Sequence, residues 1–575
     1  MDTRRTILWV VFSVSLFLLW DNWQRYHNKP SFFGMPATTQ ASQNAAPAKP
    51  AGGDVPAAGA VTAAVPKGGE QGGAGAAPAA ASAAVPAATA ATQGERVTIQ
   101  TDLMKVDLNS AGAQVERAEL LRINDNVDAS KRMVLLDSDP KKLYLAQSGL
   151  IGGAAGAVLP NHRTVFAVQP GPRALEAGQD KLEVSMAAES GGVKLVKTFV
   201  FHRGSYLIDV RHDIVNTADA PLAAQLYLQL VRNGDEPAGS SHFYSTFTGA
   251  AVYTDAEKFQ KQSFSDIEKN KINHATKAAD GWIAIIQHYF VSAWIPPEKI
   301  AREIYTEKVD TNLYRVGNKL ALPQVAPGAT LTENARLYVG PQEERTLEGI
   351  APGLELVRDY GWFTIFAKPL FWLLEKLNHL FGNWGWAIVG LTVLIKLAFF
   401  PLSAASYKSM ARMKVVAPRM KALQERFKDD RAKLNQAMME LYRTEKINPL
   451  GGCLPILIQM PVFIALYWTL LASVEMRNAP WIGWVHDLTA PDPFYILPVI
   501  MMVSMLVQYK LNPAPPDPMQ AKMMLIMPLV FGVMFFFFPA GLVLYWVVNN
   551  ILSIAQQWYI TRKLGVKVEL TGGGS

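Results

Sequence analysis

The sequence predicts a multi-domain membrane protein, with six transmembrane α-helices and an extramembrane domain built as an antiparallel β-sandwich. Three observations predict it. Half of the 575 residues are hydrophobic, and the longest apolar stretches are gathered into discrete runs, as membrane spans require. Between Glu95 and about Gly340 the pattern changes to short alternating runs broken by turn residues, the cadence of a sandwich. The apolar run 386–402 carries a single charge, Lys396. At ~1.5 Å per residue Lys396 lies ~15 Å from Trp386 and ~18 Å from Lys408, near the middle of a ~30 Å hydrocarbon core.

Composition narrows the function classes. The single cysteine, Cys453, excludes an intramolecular disulfide. No phosphate-binding glycine loop is present and no Cys/His cluster has zinc-ligand spacing. We therefore expect no cofactor, no metal, no nucleotide hydrolysis and no DNA partner.

Taking the elements in order, Arg4 and Arg5 precede the apolar run 7–20, which Trp20 and Trp23 close. A cleavable signal peptide is the competing reading, and cleavage further on in the Ala-rich stretch stays open. Bulky aromatics in place of a small-x-small site favour an uncleaved anchor over 1–24, with its N-terminus in the cytoplasm. Residues 25–95 are rich in Ala, Pro and Gly and poor in large apolar residues. Such a segment buries too little surface to offset chain entropy and is expected to be a flexible linker.

Residues 96–342 form the β domain. Val193-Lys-Leu-Val-Lys-Thr-Phe-Val-Phe alternates, breaks at His202-Arg-Gly-Ser and resumes at Tyr206-Leu-Ile-Asp-Val-Arg-His-Asp-Ile-Val, which reads as a hairpin. Further runs fall at 97–108, 222–231, 282–294 and 336–339. His162, His202, His212, His242 and His288 lack metal or triad spacing and are expected to be surface or packing residues. Residues 343–383 hold a linker and an amphipathic helix, in which Leu370, Leu373, Leu374, Leu377 and Phe381 share one face. A helix of this kind lies on a membrane surface.

The second span is expected over 384–407, followed by a cytoplasmic helical hairpin over 408–447. Residues 406–446 carry eleven basic residues, Arg412, Lys414, Arg419 and Arg426 among them, against five acids, so this loop faces the cytoplasm. Met413, Val416, Met420, Leu423 and Phe427, then Leu434, Met438 and Leu441, recur at spacings of three and four, as in a short antiparallel coiled coil. The charges alone read as a solvated face and an orientation signal; contact with ribosomal RNA or anionic lipid is a further reading. Spans follow at 448–474, 493–510, 523–539 and 540–561. An outer loop lies at 475–492, with Trp481 and Trp484 as interface anchors, a cytoplasmic loop at 511–522 and a cytoplasmic tail at 562–575.

Lys396 needs a reason. A Lys at this depth costs roughly 2.5–3.5 kcal/mol on insertion scales. Its stem is too short to snorkel out from the midplane, and the other apolar runs hold no Asp or Glu to pair with it. It should face a wet cavity, polar neighbours, or something that arrives from outside.

Several motifs resemble the Oxa/Alb/YidC family of membrane protein insertases. Asn448-Pro-Leu-Gly-Gly-Cys-Leu-Pro-Ile-Leu-Ile-Gln-Met-Pro-Val-Phe is similar to the family's signature third span. Asp492-Pro-Phe-Tyr-Ile-Leu-Pro, Asp517-Pro-Met-Gln and Phe538-Pro-Ala-Gly-Leu-Val-Leu-Tyr-Trp resemble its later segments. The order of anchor, linker, β domain and five-helix insertase core resembles the form found in bacteria with two membranes. The resemblance implies an inner-membrane location and a β-supersandwich facing the periplasm. It implies a core motif that includes Pro449, Gly451, Gly452, Pro455 and Pro461. It also implies a hydrophilic, cargo-contacting groove in which Lys396 stands where the family usually has Arg, with Thr392, Gln459 and Trp546 around it. Replacing Arg by Lys keeps the charge and loses the guanidinium fork.

The function expected from these readings is insertion and folding of nascent membrane proteins, without covalent chemistry. Cargo would enter the groove from the cytoplasm and leave into the lipid bilayer along 450–473 and 523–538. The methionines Met501, Met502, Met505, Met519, Met523, Met524, Met527 and Met534 would offer adaptable contacts, or simply face lipid. The implied partners are nascent membrane proteins, the Sec translocon (SecYEG with SecDF) and the ribosome. The short tail, with only Arg562, Lys563 and Lys567 as basic residues, argues against ribosome docking through it. The alternatives are a secondary transporter of a small anion, which normally shows internal repeats or intramembrane carboxylates, and a scaffold, which would leave Lys396 unexplained.

Overall fold

The computed structural model describes residues 94–125, 127–128, 130–153, 157–238, 246–360, 364–427, 430–445, 454–512 and 518–563. The expected anchor 1–24, the linker up to residue 93, His242, the motif residues Pro449, Gly451 and Gly452, and the tail beyond Lys563 lie outside them.

The expected hairpin forms as strands Val193–His202 and Leu207–Asn216, antiparallel, with Phe199 opposite Val210. Period two puts Val193, Leu195, Phe199 and Phe201 on the same inward face as Ile208, Val210 and Ile214, all of them buried. These strands belong to a nine-stranded sheet. Its spatial order is Lys258–Ser263, Gly249–Thr254, Trp282–Ile286, Phe290–Ile295, Thr330–Pro341, Leu207–Asn216, Val193–His202, Lys181–Ser190 and Ala167–Val168. A second nine-stranded sheet runs Arg96–Gln100, Met104–Asn109, Gln114–Asn124, Tyr144–Gly152, Ala224–Asn233, Leu313–Ala321, Arg302–Asp310 and Lys277–Ala278, with Arg132–Leu136 paired to Gln114–Asn124. The paired strands are antiparallel, and one shared core of buried side chains from both sheets lies between them.

Two of the expected runs each resolve into two strands. In 97–108 the hydroxyl of Thr101 accepts from the amides of Leu103 and Met104 and turns the chain there. In 282–294 the break falls at Gln287-His288-Tyr289. Alternation also places Lys197 and His212 on the inward face, and both are fully buried. Lys197 is satisfied across the sandwich. Its ammonium donates to the carbonyl oxygens of Gly112 at 2.6 Å and Ser148 at 2.8 Å, on the opposite sheet.

Two short helices, α1 (Phe264–Glu268) and α2 (Glu344–Glu348), belong to the β domain. The helical part comprises α3 (Thr364–Phe381), α4 (Trp384–Ala398), α5 (Phe400–Arg426), α6 (Arg431–Thr444), α7 (Leu454–Ala472), α8 (Ile496–Leu511), α9 (Pro518–Met534) and α10 (Ala540–Lys563). The predicted face of α3 packs except at its end, where Phe381 is exposed. Leu374 is buried in the bundle core, and Leu370, Leu373 and Leu377 lie against it.

The segment 384–407, expected as one span, is bent by 68° between α4 and α5. The break at Phe399 has a cause two residues on. Pro401 has no N–H to donate to the carbonyl of Leu397, and its ring would collide with that carbonyl if the helix continued. Past the bend, α5 runs unbroken to Arg426, so 407/408 is not a structural boundary. The hairpin contact is narrower than the expected coiled coil. Val416 and Met420 are buried against Met413, Met438, Leu441 and Tyr442, without Leu423, Phe427 or Leu434.

Among the described residues no single helix is long and apolar enough to cross a membrane, but the bent α4–α5 pair passes that test together. Gln459–Ala472, Ile496–Leu511 and Lys522–Phe537 are shorter apolar helices. Trp481 and Trp484, expected as interface anchors, pack against the bundle core, and Trp481 meets Trp386 edge to face at 5.8 Å.

Candidate functional site

The site is built on three helices. Asn383 caps α4, its side chain accepting from the amide of Trp386. Lys396 falls in the last turn of α4. There the free carbonyls of the helix end favour a cation by about 0.3–1 kcal/mol, and more where water is scarce. The bend at Phe399 thus creates a helix end beside the charge, inside the apolar run. Lys396 is half-buried, and its ammonium donates to the hydroxyl of Ser553 on α10 at 2.7 Å. Ser553 in turn donates to the carbonyl of Asn549, one turn earlier. Among the described residues no carboxylate pairs with Lys396.

α10 carries a polar stripe that sequence reasoning passed over. Asn549, Asn550, Ser553, Gln557 and Thr561 are all buried. Their spacing of three and four gives them one helical side. Asn550 donates to Ser504 on α8 at 3.2 Å, and Gln557 donates to the carbonyl of Leu511 at 3.1 Å. The side-chain oxygen of Asn549 and the indole nitrogen of Trp546 are buried without a protein partner among the described residues. A buried polar atom of this kind ordinarily finds a partner in water or a bound group.

The third wall is α7. Gln459 donates to the hydroxyl of buried Tyr545 at 2.5 Å. Phe463, one turn on, meets Trp546 at 4.7 Å, and Trp546 also touches Phe535 at 5.8 Å. Trp546 and Ser553 are seven residues apart, two turns or ~10 Å along one side of α10. The structure therefore brings Lys396, Gln459 and Trp546 to a common helix. It does not bring Thr392 there as an open group, because Thr392 is fully buried and donates to the carbonyl of Ile388 in its own helix. Pro461 sits inside α7, and Pro455 lies in its first turn.

The hairpin residues stand apart from this seam. Arg412, Arg419 and Arg426 are exposed and Lys414 is half-buried. Arg419 pairs with Glu445 at 2.6 Å. Among the methionines, Met501 is core, while Met523 and Met527 are exposed on α9. A cavity of about 540 Å³ in the β domain, lined by Asp209, Arg211, Asp280 and Arg336 among others, contains none of these residues.

Fold and site together define a helical bundle with a polar seam inside it and a two-sheet domain attached. The YidC periplasmic domain family matches residues 96–373, and the 60Kd inner membrane protein family matches 376–567. The chain is 60% identical to the membrane protein insertase YidC of Cupriavidus metallidurans, over 98% of each chain. It is 59% identical to that of Cupriavidus necator, again over 98% of each. A solved structure of an active YidC insertase aligns with 82% of this chain and 93% of its own, at 20% identity and a TM-score of 0.39. The chain belongs to the YidC family of membrane protein insertases. Membership carries the inner-membrane location, the periplasmic placement of the β domain and the non-enzymatic character, and it gives the anion-transporter alternative no support.

Proposed function

We propose that this chain inserts nascent membrane proteins into the lipid bilayer through the seam between α4, α7 and α10, with Lys396 as its working charge. The observation that carries the reading is that Lys396 is held by a neutral hydroxyl rather than by a carboxylate. A carboxylate would add the attraction of a second, opposite charge to the hydrogen bond that the neutral hydroxyl already gives the ammonium. An acidic or polar group of the cargo can therefore take the place of Ser553. The unpartnered atoms of Asn549 and Trp546 offer further polar contacts along the same side of α10. A partly wet seam shortens the dehydrated path of the cargo's polar segment, and low local dielectric strengthens its attraction to Lys396. The apolar segment leaves along α7 and α9, whose Met460, Leu525, Ile526 and Val530 are exposed. No bond is made or broken. Partitioning of the cargo supplies the free energy, and the membrane potential adds ~2.3 kcal/mol per charge per 100 mV.

In this reading the chain has six spans with both termini in the cytoplasm: the anchor 1–24, then 384–407 as the bent α4–α5 start, 448–474, 493–510, 523–539 and 540–561. The basic hairpin, with Arg412, Lys414, Arg419 and Arg426, then lies on the cytoplasmic side, as the positive-inside rule requires. That hairpin is the surface on which we place the ribosome, and the Sec translocon is the partner for cargo that needs it. Pro449, Gly451, Gly452, Pro455 and Pro461 are the core motif in this reading, on the strength of the family resemblance alone. Thr392 supports Lys396 through the packing of α4.

Reconstitution in liposomes with a short acidic-tailed cargo tests the reading. Lys396→Arg should support insertion, and Lys396→Ala and Lys396→Glu should not. Equal insertion by all of them, with normal folding, would remove Lys396 from the mechanism.

A further inference from the structure

The β domain is not merely tethered to the bundle. The residues that follow α7 are built into it. Val474 is part of the β-domain core. His288, between strands Trp282–Ile286 and Phe290–Ile295, bonds through Nε2 to the carbonyl of Leu471 in the last turn of α7, at 2.9 Å. Arg477 donates to the carbonyl of Asn124 and lies over the rings of Tyr289 and Phe290 at 5.8 and 5.5 Å.

At the centre of this junction is Arg358, whose side chain is completely buried. One end of its fork donates to Glu475 Oε1 at 2.7 Å and the other to Ser473 Oγ at 2.7 Å. Its guanidinium lies 4.1 Å from the ring centroid of Phe371 on α3 and 5.1 Å from that of Tyr360. Tyr360 donates to Glu344 on α2, which also pairs with Lys368 on α3 at 3.4 Å. Ser473 and Thr469 continue the chain of bonds down α7. The sandwich edge, α3 and the outer end of α7 thus meet on one guanidinium.

Arg358 is fully buried and Glu475 half-buried, so the pair is stable only when complete. Complete, its charges are compensated; with one partner removed, the other is stranded. Such a junction holds a helix end in one place rather than over a range. α7 is the helix that presents Gln459 and Phe463 to Tyr545 and Trp546, and Gln459 lies ~15 Å along it from Thr469. We propose that Arg358 is a positioning residue for insertion: by locking the outer end of α7 to the periplasmic domain it sets where α7 stands as the exit wall of the groove. This rests on the insertase reading above and goes beyond it, because it gives one edge of the β domain a part in the transport step.

The test uses the full chain in liposomes, with a photo-crosslinking side chain in place of either Met460 on α7 or Met527 on α9, both exposed. The Arg358→Met chain should insert an acidic-tailed cargo about five-fold more slowly, a size common for couplings carried through packed networks. Its cargo crosslinks should fall at Met460 and hold at Met527. Arg358→Lys keeps the charge without the fork and should restore only part of the loss. Wild-type insertion by a folded Arg358→Met chain overturns the proposal. An equal fall of crosslinks at both positions also overturns it, since that reports general loosening. If Arg358→Met does not fold, Glu475→Gln decides, and an unchanged ratio of Met460 to Met527 crosslinks overturns the proposal. A wild-type chain that inserts nothing overturns the insertase reading and this one with it, which no variant-specific loss can imitate.

Discussion

The ammonium of Lys396 and the hydroxyl of Ser553 stand 2.7 Å apart, although 157 residues separate them in the chain. The bond joins the end of α4 to the polar stripe of α10, and its acceptor carries no charge. A carboxylate in the place of that hydroxyl should fill the position permanently. Ser553→Asp is expected to lower insertion of acidic-tailed cargo about ten-fold, equivalent to about 1.4 kcal/mol of competition. Ser553→Thr keeps the hydroxyl and should insert close to wild type. Initial rates in liposomes measure both.

What the sequence made legible here, and what it hid, follows from the kind of signal each residue gives. Lys396 stood out because a lone charge in an apolar run has no cheap explanation. Ser553, Asn549 and Gln557 did not, because uncharged polar residues depress hydropathy only slightly, although their spacing of three and four was there to be counted. The hairpin at residues 193–216 was legible from strict period two. The inward placement of Lys197 followed from the same alternation, yet its acceptors lie on another sheet and leave no local trace. Pro401 was visible, but a proline near the end of an apolar run does not say whether the helix kinks or stops. Arg358 was invisible as a functional residue, since its partners at 473 and 475 lie more than a hundred positions away.

Lys197 makes the sandwich sensitive to pH. Burial pulls its amino group down to about 7, against roughly 10.4 in an unfolded chain. Across that window the unfolded state binds more protons, so stability rises as pH rises from about 7 toward 10 and is flat below it. The melting temperature of the β-domain transition in the full chain should climb over that range. In Lys197→Met the climb should be absent, and the domain should be weakened at pH 9 because the carbonyls of Gly112 and Ser148 lose their donor.

His288 gives the junction with α7 a dependence of the same sign at lower pH. Burial drives its imidazole down to about 4, below the roughly 6.5 of a free histidine. The stabilising effect of neutral His288 is present above about pH 6.5 and is lost as pH falls toward 4. Hydrogen exchange around Leu471 and Val474 should quicken over that interval while the centre of the sandwich stays protected. His288→Gln retains a donor without the titration and should abolish the trend.

Close packing fixes the loop that carries Trp481 to α4 at Gly385. A Cβ added there would stand 2.2 Å from the indole Cδ1 of Trp481, itself wedged against Trp386. Overpacking of this sort costs about 1–3 kcal/mol. Gly385→Ala should lower the midpoint of thermal unfolding in detergent and raise the exposure of tryptophan to a water-soluble quencher. An unchanged quenching profile would show that the loop accommodates the methyl group elsewhere.

The bend at Phe399 has a consequence in leverage. α5 is 27 residues long, an arm of ~40 Å. Turning that arm by ~10° about the bend would carry its Arg426 tip through ~7 Å, while Lys396, just before the pivot, stayed almost still. Motion at the Arg426 tip and quiet at the charge are therefore mechanically compatible, and the proline at 401 sets the gearing between them.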